Sequence, residues 1–150
     1  YLTAINLLNE KGNDIKYGDD FGVEHEKLLT EDETQPIFIT HFPREMKPFY
    51  MKESGDGKTV NNADMLAPKG FGEIIGGSER ETDVKILIDK LEKAGEKVED
   101  YAWYLDLRRF GSVQHSGFGL GVERVVRWIA GLEHIRDTTP FPRSINRAYP

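Results

Sequence analysis

Gly117-Phe118-Gly119-Leu120-Gly121-Val122-Glu123-Arg124 sets three glycines at alternate positions immediately ahead of an apolar, periodic run. Residues 122–130 read as a helix, and Gly131 stands at the left-handed position that commonly closes one. Glycines before a helix let the backbone come close to a neighbour, and the amides of a helix N-terminus favour an anion. The spacing is not that of a dinucleotide-binding turn, which needs a third glycine three residues further on. Nor is it a P-loop, since no Lys-Ser/Thr follows. Tight strand–helix packing is an equally good use of such glycines. Glu123-Arg124 tips the balance. A cation in the first helical turn opposes the helix dipole, at about 0.3–1 kcal/mol in an exposed site. Placing one there makes sense beside a polyanion or an adenine ring, on which a guanidinium stacks by planar and cation–π contact.

Upstream of that stretch, extended runs alternate with tight turns. Pro36-Ile37-Phe38-Ile39-Thr40-His41-Phe42 predicts a strand, and Pro48-Phe49-Tyr50-Met51 is a second short apolar run. Gly55-Asp56-Gly57 is a hairpin turn signal, with residues 60–66 as the return strand. Lys69-Gly70 turns into residues 71–80, an extended run that contains Gly76-Gly77. Helical spacing appears in residues 1–12, where Leu2, Ile5 and Leu8 recur, Ala4 pairs with Leu8, and Gly12 stops the pattern. It appears again in residues 82–94, with Thr82 as the expected cap. There Val84, Leu87, Ile88, Leu91 and Ala94 share one face, and Gly95 ends the helix. Residues 13–34 read as an acidic surface loop with a helical turn around 23–29. Residues 100–110 read as an aromatic, amphipathic loop leading into a helical turn. The tail, with Pro140, Pro142 and Pro150, reads as extended. Strands joined by turns and interrupted by one long helix are not a βαβ alternation. They predict an α+β fold, an antiparallel β-sheet flanked by helices.

The chain has 150 residues, about one domain by length, and its 38% hydrophobic and 11% aromatic content excludes intrinsic disorder. No run nears the roughly 20 apolar residues of a membrane helix, and the first residues lack a signal peptide's basic start and cleavage site. Tyr rather than Met stands first, so an upstream segment is expected. The absence of cysteine excludes a disulfide scaffold, a thiolate metal site and a thiol nucleophile, and a cytoplasmic setting is the expectation. A net charge of −6 argues against a globally basic nucleic-acid-binding surface. The average hides an asymmetry. Residues 1–106 hold 13 Lys and Arg against 23 Asp and Glu, while residues 107–150 hold 7 against 3. All seven of those cations are arginine, the residue suited to planar recognition of carboxylate and phosphate. His25, His41, His115 and His134 are scattered without metal-ligand spacing, so a zinc site is not expected. Trp103 and Trp128 read as core residues. His115 stands next to the glycines, where packing and substrate contact are equally open.

The residues from Gly117 to Arg124 resemble motif 3 of the class II aminoacyl-tRNA synthetases, whose arginine stacks on the adenine of ATP. His134-Ile135-Arg136-Asp137 and Phe141-Pro142-Arg143 resemble the end of the aspartate/asparagine/lysine subgroup. Three further stretches resemble its asparaginyl members. They are Phe49-Tyr50-Met51-Lys52, Gly72-Glu73-Ile74-Ile75-Gly76-Gly77-Ser78-Glu79-Arg80-Glu81, and Tyr104-Leu105-Asp106-Leu107-Arg108-Arg109-Phe110-Gly111. The likeness runs over essentially the whole chain. In aspartyl members the acidic strand typically reads Glu-x-x-Ser-Gly-Ala-Gln-Arg. Gly76-Gly77-Ser78 and His115-Ser116-Gly117-Phe118 are the asparaginyl forms.

The resemblance implies roles for named residues. Gly121, Val122, Glu123 and Arg124 would bind ATP, Glu73 would hold the Mg²⁺ that accompanies it, and Gly76 and Arg80 would bind the amino acid. Without it, Glu73 has two readings. It is a hard oxygen ligand for Mg²⁺ with phosphates, or a surface carboxylate on a half-exposed strand. Arg80 likewise either donates its fork to a side-chain carbonyl or pairs on the surface with Glu79 or Glu81, a pairing worth roughly 0–1 kcal/mol. Gly76 stands where aspartyl relatives place a serine, which removes one side-chain ligand. Seven residues separate Glu73 from Arg80, so strict strand alternation would put them on opposite faces. They line one pocket only if the strand is irregular between them, and Gly76-Gly77 is the expected place. Arg108, Arg109 and Arg143 face either nucleic-acid phosphate or the acidic first half of the chain.

The implied activity is ATP-dependent activation of asparagine to an adenylate and transfer to tRNA(Asn), by a protein that is a homodimer at full length. Motif 1, motif 2 and the anticodon-binding barrel lie outside these residues. The chain is therefore expected to be the C-terminal part of a catalytic core, inactive on its own. Other readings are an aspartyl-tRNA synthetase, a paralogous asparagine synthetase that amidates aspartate through aspartyl-adenylate, and a non-catalytic nucleotide-binding fragment.

Overall fold

The computed structural model describes residues 1–149. Four strands, β1 (Ile37–Thr40), β2 (Asn62–Ala67), β3 (Gly72–Glu79) and β4 (Ser116–Leu120), form one sheet in that order, with every neighbour antiparallel. Five helices accompany it: α1 (Leu2–Glu10), α2 (Val23–Thr30), α3 (Val84–Lys93), α4 (Ala102–Arg109) and α5 (Val122–Ala130). This is the α+β architecture expected from the sequence.

The glycine stretch lies in β4, which runs directly up to α5. Gly117 and Gly119 stand opposite Ser78 and Gly76 in the β3–β4 pairing. Period-2 geometry puts these four on one face and sends Phe118 and Leu120 to the other. Gly77 faces Phe118, and a Cβ on Gly77 would lie 2.9 Å from that of Phe118. Alternate glycines thus clear one face of the sheet while the other face keeps its side chains. The irregularity of β3 is displaced from where it was expected. Met65 pairs with Ile75 and Leu66 with Glu73, so Ile74 is the extra residue of a β-bulge, and Gly76-Gly77 pairs regularly.

Packing divides into two clusters. Ala4, Ile5 and Leu8 of α1 and Leu29 of α2 close over Ile39, Phe42 and Leu66 at the β1–β2 end of the sheet. Leu2, predicted with them, is exposed. The second cluster joins Leu87 and Leu91 of α3 to Leu105 of α4, with the Phe49 ring edge-on to Tyr101 and Tyr104. The apolar side of α5 is left open, Val122 and Ile129 being 63% and 76% exposed. Trp103 is exposed as well, and is not the core residue expected.

Several local predictions shift. Asp83, not Thr82, caps α3, its carboxylate accepting the N–H of Lys85 at 2.7 Å and of Ile86 at 3.3 Å, an arrangement worth about 1 kcal/mol. The acidic segment holds a two-turn helix, α2, and residues 98–109 are helical throughout, a 3₁₀ turn at Val98–Tyr101 running into α4. At Gly55-Asp56-Gly57 the chain reverses as expected, Glu53 bridging Val60 and the Ser54 N–H donating to Thr59 O at 2.8 Å, while the Asp56 carboxylate takes the N–H groups of Lys58 and Thr59 inside the turn. The tail is not extended. It makes a 3₁₀ turn at Ile135–Thr138 and a tight turn in which Ser144 and Arg147 exchange hydrogen bonds of 2.9 and 3.0 Å. Pro150 lies outside the described residues. No described helix is long and apolar enough to cross a membrane.

Candidate functional site

The bulge at Ile74 brings Glu73 into step with the alternate residues that follow it. A Cβ on Gly76 would point at Glu73, 2.9 Å from Oε1, and at Asp64, 3.5 Å from Oδ1. Ser78 continues that face, and the Arg80 Nη1 donates to Ser78 Oγ at 2.9 Å. Glu73 and Arg80 therefore share one face despite their odd separation. Between them the floor is made by Gly76, Gly117 and Gly119, which carry no side chain.

A cleft of about 380 Å³ opens on this face, lined by Glu73, Gly76, Asp64, Glu26, Lys47 and Tyr50 among others. Glu73 is tied into it twice. Its N–H donates to Glu26 Oε2 at 3.0 Å, and its carbonyl accepts from Arg124 Nη1 at 2.7 Å. The same guanidinium nitrogen lies 3.5 Å from Glu73 Oε2. Burial holds the Glu26 carboxyl above the usual carboxylate range, and the negative charge of Glu73 adds to the effect against the opposing Glu73 N–H and Arg124.

Arg124 reaches this position because Gly121 has no side chain. A Cβ there would lie 3.1 to 3.4 Å from the aliphatic stem of Arg124, which rests across it. The guanidinium folds back on β3, so its charge meets a carbonyl and a carboxylate instead of the helix dipole. Gly121 N–H is not available to an anion, since it donates to Ile74 O at 3.0 Å. Val122 and Glu123 are exposed in the first turn of α5, where helix N–H groups lack intrahelical partners.

Asp64 was not singled out from the sequence, although an acid flanked by Ala63 and Met65 in a predicted strand was the available signal. Its Oδ2 pairs with Lys47 Nζ at 2.7 Å, with both side chains largely buried, and Lys47 also lies over the Phe42 ring. Its Oδ1, which accepts only a long 3.5 Å bond from Asn62 Nδ2, faces Gly76, as does Glu73 Oε1. Two carboxylates converging over a glycine fit Mg²⁺, which takes one or two carboxylates with phosphate and water completing its shell. Among the described residues no group of three or more His, Asp or Glu could hold a metal by itself, so the donor set suits a metal that arrives with phosphates. Glu26 and Lys47 carried no sequence signal, because their place depends on contacts between distant segments.

Arg80 sits one residue beyond β3, where its backbone bridges Met51 and its N–H donates to His115 O at 2.9 Å. The guanidinium lies over the Tyr50 ring at 4.6 Å and flat against Gly117, whose added Cβ would come within 2.9 Å of Nη2. Gly117→Ala in the full-length protein is accordingly expected to push Arg80 aside. A ligand bound through that guanidinium would then show a KM about tenfold higher, as steady-state kinetics would read. His115 turns its ring to its own loop, Nδ1 lying 2.8 Å from Val113 O. Arg109 pairs on its own helix with Asp106 at 3.1 Å, Arg143 is exposed, and Arg108 is buried.

A family model described as tRNA synthetases class II (D, K and N) matches residues 2–145. The chain is 54% identical over its whole length to an asparagine–tRNA ligase of Lactobacillus johnsonii, and spans 35% of that protein. All of it also superposes on the crystal structure of asparaginyl-tRNA synthetase from Pyrococcus horikoshii, at TM-score 0.97 and 50% identity, covering 36% of that chain. The structure of the same synthetase complexed with asparaginyl-adenylate matches at TM-score 0.96 and 50% identity, with 35% of that chain covered. The chain thus spans about a third of the length of the relatives it matches.

Proposed function

This chain belongs to the class II tRNA synthetases of the D, K and N group, and we propose that it forms the motif 3 part of an asparagine–tRNA ligase. In this reading the full-length protein activates asparagine with ATP, releases pyrophosphate, and transfers the asparaginyl group to the 3′-terminal ribose of tRNA(Asn). It works as a cytoplasmic homodimer whose other motifs lie outside these residues. The observation that carries the reading is that Glu73 on β3 and Arg80 one residue beyond it share one face across a floor of glycines, in a chain half identical to a synthetase solved with asparaginyl-adenylate.

Each residue then has a task. Arg80 donates its planar fork to the side-chain carbonyl of asparagine, and Gly76, lacking a side chain, leaves room for the amino acid and the metal. Arg124 stacks on adenine, with the amides of Val122 and Glu123 and the bare Gly121 shaping the approach. Glu73 and Asp64 would hold Mg²⁺, which when bound neutralises phosphate charge. The asparagine carboxylate attacks the α-phosphorus in line, forming the acyl–phosphate bond as the bond to pyrophosphate breaks. No protein nucleophile takes part, so rate comes from alignment and charge stabilisation.

The test is amino-acid-dependent exchange of labelled pyrophosphate into ATP by the full-length protein. Asparagine is expected to support exchange with a kcat/KM at least about 10²-fold above that of aspartate. Exchange driven by aspartate in preference, or by neither, would overturn the reading. The 150-residue chain alone is expected to show none.

A further inference from the structure

We infer that Arg108, on α4 and outside the cleft, is a positioning residue for Arg80; this rests on the proposed assignment of Arg80 to the amino acid. Arg108 is only 8% exposed. A charge taken out of water needs strong compensation, yet among the described residues its partners are neutral. Nε donates to Glu81 O at 3.2 Å, Nη2 donates to the Tyr104 hydroxyl at 2.7 Å, and the guanidinium lies 4.0 Å over the Tyr104 ring.

The carbonyl it holds belongs to the residue directly after Arg80. Glu81 N–H donates to Tyr50 O at 2.9 Å, and the Tyr50 ring carries the Arg80 guanidinium. Arg108 therefore holds the Glu81–Thr82 peptide, directly after the Arg80–Glu81 peptide that is bonded to Tyr50, the residue stacked on Arg80. The need for such a fixture follows from the fold. Arg80 lies past the end of β3, joined to Met51 by an isolated bridge. Past β3 its backbone is held by single bonds, its own N–H to His115 O at 2.9 Å and that of Glu81 to Tyr50 O at 2.9 Å. On the other side of that bridge Lys90 of α3 donates to Met51 O at 2.9 Å. Two cations from the α3–α4 pair thus grip the carbonyls on either side of the crossing. A side chain that must meet a substrate within a few tenths of an ångström needs support of this kind.

The experiment uses the full-length protein, with KM for asparagine and for ATP measured separately by pyrophosphate exchange, and thermal unfolding recorded for each variant. Arg108→Gln is expected to raise the asparagine KM about tenfold and leave the ATP KM within about twofold. Arg108→Lys keeps one donor for Glu81 O but not the fork, and should recover part of the loss. Tyr104→Phe keeps the ring and removes only the hydroxyl, so its smaller rise, about threefold, carries the test where Arg108→Gln fails to fold. Folded variants with an unchanged asparagine KM, or with both KM values raised alike, overturn the inference alone. A wild-type protein without asparagine-dependent exchange overturns the functional reading and this inference with it.

Discussion

Glu73→Gln in the full-length protein is expected to lower kcat for asparagine-dependent pyrophosphate exchange by about 10²–10³-fold, with its Mg²⁺ requirement shifted to higher concentration. Glutamine keeps the length and shape of the side chain, so the bulge and the Gly76 floor are undisturbed. It removes the negative charge that a hard cation requires. It also removes one of two attachments of Arg124, the contact of 3.5 Å to the carboxylate, but not the 2.7 Å bond to the Glu73 carbonyl. Arg124 is thereby kept in place while the carboxylate is lost, which separates the roles proposed for the two residues. Stability should change little, because the pair with Arg124 is half-exposed, and such pairs are worth about 0–1 kcal/mol. Equal exchange rates for wild type and variant at saturating Mg²⁺ would contradict the role given to Glu73.

Arg80→Gln is the second large effect. A charge-assisted hydrogen bond is worth about 1.5–3 kcal/mol, and a guanidinium fork makes two, so the asparagine KM is expected to rise about 10²-fold while the ATP KM stays near its value. Arg80→Lys should behave almost as badly. An ammonium neither lies flat between Gly117 and the Tyr50 ring nor donates two parallel bonds. The measurement is the same exchange assay read separately for each substrate. A variant that lost ATP affinity and kept asparagine affinity would show that Arg80 serves the nucleotide instead.

The sheet and its helices were legible because their signals are local. Alternation marked the strands, 3.6-residue spacing marked α1 and α3, and Gly131 marked the end of α5. What was not legible depends on distant partners. Inside the hairpin turn Asp56 takes the N–H groups of Lys58 and Thr59, and at α3 Glu81 receives the N–H of both Thr82 and Asp83 while only the Asp83 carboxylate meets the N–H groups of Lys85 and Ile86. The odd spacing of Glu73 and Arg80 calls for an irregular strand if both line one pocket, with Gly76-Gly77 the expected place, but the bulge falls at Ile74, where Leu66 and Met65 of β2 fix the register. The glycines of β4 suggest close backbone approach without saying what element carries them. Their alternation, the same period that marks any strand, was the better guide.

Within the site, Glu73, Gly76, Arg80 and Arg124 could be named from the chain, whereas Glu26, Asp64, Lys47 and Tyr50 join them through folding. The arginine-rich end gains a second meaning as well. Arg108, Arg124 and Arg127 donate to the carbonyls of Glu81, Glu73 and Phe71, three points along β3 and its flanks. Much of the positive charge of the last third therefore fastens it to the strand that bears the site.

The central claim is that β3 places a metal ligand and an amino-acid ligand on one face of one site. A crystal structure of the full-length protein with Mg²⁺ and a non-hydrolysable asparaginyl-adenylate analogue tests it most directly. The account predicts the Arg80 guanidinium within hydrogen-bond distance of the asparagine side-chain oxygen, Glu73 on the metal, and Arg124 against adenine. An analogue seated on the opposite face of the sheet, or bound with Arg80 still directed at Ser78 and out of reach of the side chain, would contradict it.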